Sequence, residues 1–253
     1  MPTSRYINLT AQDGHQFRAF LAAPDTGGPF PCLILLHEIF GINTYMRTMA
    51  REFADAGFLA IVPDLFARQE LDVDLHHEGE DFDKALKLRD GLDVTMALTD
   101  ISAAIVWARA AAAGNSAVGT LGYCLGGGLA FLAAVTQPVD CAVSYYAVGL
   151  QERVGLGRHL DVPLLLHFAE NDHYCPPEAR QAISTVLTGV PDVEMYLYQG
   201  AGHAFATYGR DTFRLQPTQV AWARTIDFLH KWLPTHEGPG DGSSTIPADT
   251  ASC

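Results

Sequence analysis

Positive charge is scarce in this chain: 16 lysines and arginines stand against 29 aspartates and glutamates, a formal net charge of -13. Such a field repels phosphate backbones and anionic bilayers, so nucleic acid and membrane surfaces are excluded as expected partners. It does not exclude a small anionic substrate, because one local cation outweighs a distant global field. No apolar run approaches the ~20 residues that a membrane span needs. The start, Met1-Pro2-Thr3-Ser4-Arg5, lacks the apolar centre of a secretory signal, so a cytoplasmic location is expected. The five cysteines (Cys32, Cys124, Cys141, Cys175 and Cys253) are dispersed. They form no Cys-x-x-Cys pair and no zinc-ligand spacing, which argues for reduced thiols. The ten histidines show no His-Glu-x-x-His pattern. No metal and no cofactor is therefore expected. No internal repeat stands out.

What is present is a long succession of apolar strand-like runs alternating with helical ones. At 253 residues with 48% hydrophobic content, the chain suits one large α/β domain. Residues 6–9 and 16–22 flank Asp13-Gly14 and predict an antiparallel hairpin. Cys32-Leu33-Ile34-Leu35-Leu36 is continuously apolar, the pattern of a strand covered on both faces. A helix is predicted from a cap at Asn43 or Thr44 to Ala56, with Gly57 as its stop. Residues 58–62, 117–121, 142–147, 162–169 and 193–198 predict further strands. Helices are predicted at 93–113, 177–187 and 216–233, with Gly114-Asn115 ending the first of them. Between 67 and 92 the chain is polar; its charges are expected mainly on a solvated face, with a pocket wall as the alternative. Beyond Pro234 the composition turns Gly/Pro/Ser/Thr-rich, and a disordered tail is expected at 235–253. The predicted architecture is a mostly parallel central sheet with helices on both faces, spanning residues 1–234.

The chemistry centres on Gly122-Tyr123-Cys124-Leu125-Gly126. An apolar strand runs into Gly-x-Cys-x-Gly and a small-residue helix follows, so the cysteine sits at the apex of a strand–turn–helix elbow. The new helix aims free N–H groups and its positive dipole end at the sulfur, which favours thiolate. Asp172 and His203 each follow a predicted strand. The order nucleophile, acid, histidine is that of the α/β-hydrolase triads. His203 can take the proton of Cys124 and return it to a leaving group, while Asp172 fixes the imidazole. Glu170 remains the alternative acid, with Asp172 as a helix cap. Glu38 also follows a strand. Its neighbour Ile39 lies where this architecture takes one oxyanion N–H, and Leu125 supplies the other. A carboxylate near a thiolate repels it, so Glu38 could hold the thiol protonated until substrate arrives. Cys32 and Cys141 open strand-like runs and read as packing residues.

Several longer runs carry a family resemblance. They are Glu38-Ile39-Phe40-Gly41, Pro63-Asp64-Leu65-Phe66-Ala67-Arg68-Gln69, the run from Val118 through Cys124 to Gly127, Tyr145-Tyr146-Ala147-Val148-Gly149-Leu150, and Ala201-Gly202-His203-Ala204-Phe205-Ala206. The chain resembles the dienelactone hydrolases (carboxymethylenebutenolidases) from residue 7 to residue 233. That resemblance implies the α/β-hydrolase fold and hydrolysis of a dienelactone ring to maleylacetate in the breakdown of (chloro)aromatics. It also implies catalytic roles for Cys124, Asp172, His203 and Glu38, and oxyanion N–H groups at Leu125 and Ile39. No cofactor is implied, only a small lactone or ester substrate. A monomer is compatible with everything in the sequence, which specifies no oligomeric state.

The departure from the family concerns substrate. Members clamp the substrate carboxylate with two arginines, and those places hold Phe82 and Thr207 here. A pocket tyrosine corresponds to Leu86, and Arg89 falls where the family has an apolar aromatic. In the family the second arginine also pairs with the glutamate, so Thr207 leaves the gating role of Glu38 open. Arg89 and Arg210 are the expected replacement cations, a guanidinium being better suited than Lys84 to a planar grip. The rival readings are a broader esterase or thioesterase on the same machinery and a non-catalytic ligand-binding protein. The intact triad argues against the second.

Overall fold

The computed structural model describes residues 1–234, so the tail expected from 235 onward lies outside the described residues. Eight strands form one sheet in the order β1-β2-β4-β3-β5-β6-β7-β8. β1 (Thr3–Thr10) and β2 (Gln16–Ala23) are the antiparallel hairpin, and β2 pairs antiparallel with β4 (Leu59–Pro63). From β4 onward all neighbours are parallel: β3 (Phe30–Leu36), β5 (Gly114–Tyr123), β6 (Cys141–Tyr145), β7 (Leu164–Asn171) and β8 (Val193–Gly202). The strands β4 and β6 are buried at every residue, as strands covered on both faces must be; in β6 the one polar residue, Ser144, donates to the Gly127 carbonyl. β1 is exposed along most of its length and carries the polar residues expected of a sheet edge.

Two apolar layers flank the sheet. One holds α1 (Thr44–Asp55), α2 (Gly79–Asp90) and α7 (Leu215–Trp232); the other holds α3 (Val94–Ala110), α4 (Leu125–Thr136) and α6 (Pro177–Leu187). A short helix α5 (Leu150–Arg153) runs into a 3-10 turn, Val154–His159. Local rules fix the ends. Asn43 accepts the Met46 N–H at the start of α1, and Asp93 accepts those of Thr95 and Met96 at the start of α3. The apolar stripe of α1 (Met46, Met49, Ala50, Phe53) faces the sheet. Phe53 is fully buried between the rings of Phe58 and Trp222, and its removal would cost about 3–5 kcal/mol.

Some boundaries differ from the sequence expectation. The hairpin strands and β8 run longer than their apolar cores, because ladder hydrogen bonds do not need apolar side chains. The long helix stops at Ala110, and Gly114-Asn115 belong to β5 rather than to the helix end. A Cβ on Gly114 would stand 2.9 Å from the Cys32 sulfur and 3.2 Å from the Ala108 carbonyl. The glycine is there to let the strand pass, not to cap the helix.

Candidate active site

The elbow is built at the end of β5. Cys124 adopts φ 56° and ψ -114°, a strained conformation for a residue with a Cβ. The strain is over-determined by backbone bonds. The Cys124 N–H donates to Tyr145 O, and its carbonyl accepts from the N–H groups of Gly127, Gly128 and Val148. A Cβ on Gly122 would lie 1.9 Å from the Gly126 carbonyl oxygen, and one on Gly126 would lie 2.1 Å from that of Leu36. Glycine at 122 lets β5 and α4 cross this closely, and glycine at 126 lets α4 pass the end of β3. Leu125 is the first residue of α4, so its N–H has no intrahelical acceptor. The Ile39 N–H makes no hydrogen bond among the described residues. Both residues line the same cleft as the sulfur, a volume of about 260 Å³.

His203 lines that cleft, with Asp172 behind it. Asp172 follows β7; one carboxylate oxygen accepts the Tyr174 N–H at 2.9 Å, and the other lies 2.8 Å from His203 Nδ1. Glu170, the alternative acid, is exposed and accepts the Gly200 N–H instead. Nδ1 therefore carries the proton donated to Asp172, which leaves Nε2 as the atom that can exchange a proton with the sulfur. Nε2 is buried and has no hydrogen-bond partner among the described residues. Burial pushes the imidazole down. The negative charge of Cys124 and the Asp172 hydrogen bond outweigh it together and raise His203 to about 10. The rings of Tyr146 and Tyr174 stand edge-on against the imidazole at 5.3 and 4.7 Å.

Glu38 is buried beside this group. Its backbone is pinned by His37, whose Nε2 accepts the Leu65 N–H and whose Nδ1 therefore donates to the Glu38 carbonyl at 2.5 Å. Burial lowers His37 to about 4, so that imidazole is neutral. Glu38 Oε1 accepts from Thr207 Oγ1 at 3.0 Å, and Arg210 Nη1 stands 4.0 Å away. Oε2 has no partner. Burial raises the Glu38 carboxyl, against the opposing pull of Arg210, His203 and Thr207. Thus the cation beside the glutamate is Arg210, three residues past the place that Thr207 occupies. The segment after His203 is a chain of turns, and Arg210 N–H donates to the Thr207 carbonyl at 3.4 Å.

Arg89 and Arg210 both line the cleft with Cys124. Arg210 packs over the Phe40 ring at 5.5 Å, while Arg89 pairs with its exposed neighbour Asp90 at 2.7 Å. Lys84 lies on the exposed side of α2, bound to Glu70. Phe82 and Arg89 bring the insertion into the pocket wall, whereas its carboxylates Asp72 and Asp74 pair outward with Arg18 and Arg47. Both readings of that segment hold, for different residues. Cys32 and Cys141 are fully buried, and burial pushes the Cys32 thiol to about 12 and the Cys141 thiol higher still. Cys175 is also buried and raised to about 11. Among the described residues no group of His, Cys, Asp and Glu is arranged to hold a metal ion. A larger groove of about 540 Å³ lies along α3 beside Thr10 and Thr136, but no titratable side chain lines it.

Sequence reasoning passed over Tyr146, His173 and Tyr174. The last two line the cleft, and Tyr146 packs behind it. Their only local signal is position after a strand. Tyr146 has φ 35°, which no residue-type pattern announces.

Known proteins match this arrangement. The Dienelactone hydrolase family matches residues 17–233. The carboxymethylenebutenolidase of Pseudomonas putida is 36% identical over 224 residues, 88% of this chain and 94% of its own length. Carboxymethylenebutenolidase 1 of Cupriavidus pinatubonensis is 35% identical, over 88% of this chain and 95% of its own. A crystal structure from Klebsiella pneumoniae superposes with a TM-score of 0.80 at 25% identity, covering 91% of this chain and 100% of that one. Elbow, acid loop and histidine all fall inside the matched span, and the chain belongs to the dienelactone hydrolase family of lactone- and ester-hydrolysing enzymes.

Proposed function

We propose that this hydrolase opens the ring of an unsaturated, carboxylate-bearing lactone of the dienelactone type by cysteine nucleophilic catalysis, giving maleylacetate. The observation that carries the reading is a single small cleft holding Cys124, His203 and two arginines, Arg89 and Arg210. In this reading His203 Nε2 already holds the proton of Cys124, and the thiolate attacks the ring carbonyl. The Leu125 and Ile39 N–H groups bind the oxygen as it becomes negative. Collapse of the tetrahedral adduct breaks the ring C–O bond. The leaving group is an enolate, whose delocalised charge makes it a good leaving group, and it takes a proton from the imidazolium. Water deprotonated by His203 then attacks the thioester, releasing the second carboxylate and restoring the thiolate beside a protonated His203. Asp172 holds the imidazole with Nε2 facing the chemistry throughout. Arg89 and Arg210 offset the substrate carboxylate, which would otherwise be a costly unpaired charge in a buried site. The substrate's origin in the breakdown of (chloro)aromatics follows from this reading.

The relatives named carboxymethylenebutenolidase support it. The rival is a broader esterase or thioesterase on the same residues. Turnover of cis- and trans-dienelactone against a neutral aryl ester of similar size separates them. Preference for the carboxylated lactones is expected; preference for the neutral ester would replace this reading with the rival.

A further inference from the structure

We propose that Tyr146 and Thr207 are positioning residues: a one-way hydroxyl relay, Tyr146 O–H to Thr207 O–H to Glu38 Oε1, that fixes which oxygen of Glu38 is occupied and how readily that carboxyl ionises. The inference rests on the reading that Glu38 serves the Cys124 site. Thr207 stands where the family resemblance leads one to expect a cation, so its contribution to the glutamate is of a different kind.

The direction of the relay follows from counting protons. Thr207 Oγ1 lies 3.0 Å from Glu38 Oε1 and 3.1 Å from the Tyr146 hydroxyl. A threonine hydroxyl has one proton, and at Glu38 it must be the donor if the carboxyl is ionised. Its lone pair then receives the proton of Tyr146. Thr207 and Tyr146 are fully buried, so no water competes for these bonds. The backbone supports the same conclusion. Tyr146 sits at φ 35°, unfavourable for a bulky residue, and its N–H donates to the His167 carbonyl at 2.8 Å. That conformation carries the phenol under the active site, edge-on to His203, with its hydroxyl on Thr207.

The other groups around Glu38 do not duplicate the relay. Arg210, in the turns after β8, is 4.0 Å from Oε1, beyond hydrogen-bond length. His203 contributes charge from the same segment, with its Nδ1 on Asp172. Tyr45, on α1, faces Glu38 but spends its proton on the Ala206 carbonyl at 3.2 Å. His37 is neutral and bonds the Glu38 backbone. The relay and Arg210 both act on Oε1, which leaves Oε2 as the free oxygen.

The test uses the full-length enzyme labelled with 13C at the glutamate carboxyl carbon, the Glu38 signal being identified by its loss in Glu38→Gln. Its titration midpoint is followed in wild type, Thr207→Val, Thr207→Ser and Tyr146→Phe, alongside the acid limb of kcat/KM. Removing a donor from a carboxylate disfavours the charged form. Thr207→Val should therefore move the midpoint up by about one pH unit, the scale of one lost hydrogen bond to a charged group. Thr207→Ser should restore it. Tyr146→Phe should move it in the same direction by less, with no further effect in the Thr207→Val background. An unchanged midpoint in both Thr207→Val and Tyr146→Phe overturns the relay, as does a serine variant that behaves like valine. If the midpoint moves and the acid limb does not, the relay stands and the catalytic reading of Glu38 falls.

Discussion

Replacing Arg89 by alanine should weaken binding of a carboxylated lactone and leave a neutral ester untouched. Arg89 lies on the last turn of α2 and lines the cleft with Cys124. Its Nε and Nη2 are held by Asp90 at 2.8 and 2.7 Å. Asp90 is 65% exposed, so that pair contributes at most about 1 kcal/mol and can be given up to a substrate. A charge-assisted hydrogen bond to a substrate carboxylate contributes about 1.5–3 kcal/mol. Offset by the lost Asp90 pair, the net gain is about 1–2 kcal/mol, or roughly tenfold in KM. The carboxylate is remote from the attacked carbonyl, so binding falls uniformly and kcat should hold. Arg210→Ala should raise KM comparably but also lower kcat, because it strips the cation from Glu38. The assay is steady-state kinetics on the lactone and on a neutral aryl ester, with melting temperature confirming the fold. Normal lactone kinetics in both variants would place the carboxylate grip elsewhere.

Further outcomes follow from the same geometry. Cys124→Ala should abolish turnover with no loss of fold, and alkylation of the native enzyme should label Cys124 in a substrate-protectable way; labelling of Cys32 or Cys141 instead would contradict their burial. Gly126→Ala places a Cβ 2.1 Å from the Leu36 carbonyl oxygen and should cost roughly 3 kcal/mol or more, read as a large drop in melting temperature; a near-normal value would mean the elbow has room to relax. His203 is raised from 6.5 to about 10, so its stabilising contribution is complete below 6.5 and lost as pH rises through about 10. Asp172→Asn should flatten the fall in melting temperature across that window, and equal slopes in both proteins would refute the assignment.

Much of the fold was legible because its signals are local. Unbroken apolar runs at β3 and β4 mark strands buried on both faces, and Asn43, Gly57 and Asp93 mark helix ends within a few residues. The elbow is local in part, since Gly122 is demanded by a backbone crossing inside one strand–turn–helix, while Gly126 is demanded by the passage of α4 over Leu36 at the end of β3. The order Cys124, Asp172, His203 was readable because each ends a strand of a parallel sheet, and such ends gather on one edge. What the sequence left open was decided by contacts between residues far apart in the chain. Asp172 rather than Glu170 faces His203, 31 residues away. Thr207 reaches Glu38 across 169 residues and Tyr146 across 61, and Arg210 supplies the charge from a turn whose path has no periodic signature. Periodicity and turn chemistry act over a few residues, whereas these bonds depend on how strand ends and loops pack side by side, which only the assembled sheet determines.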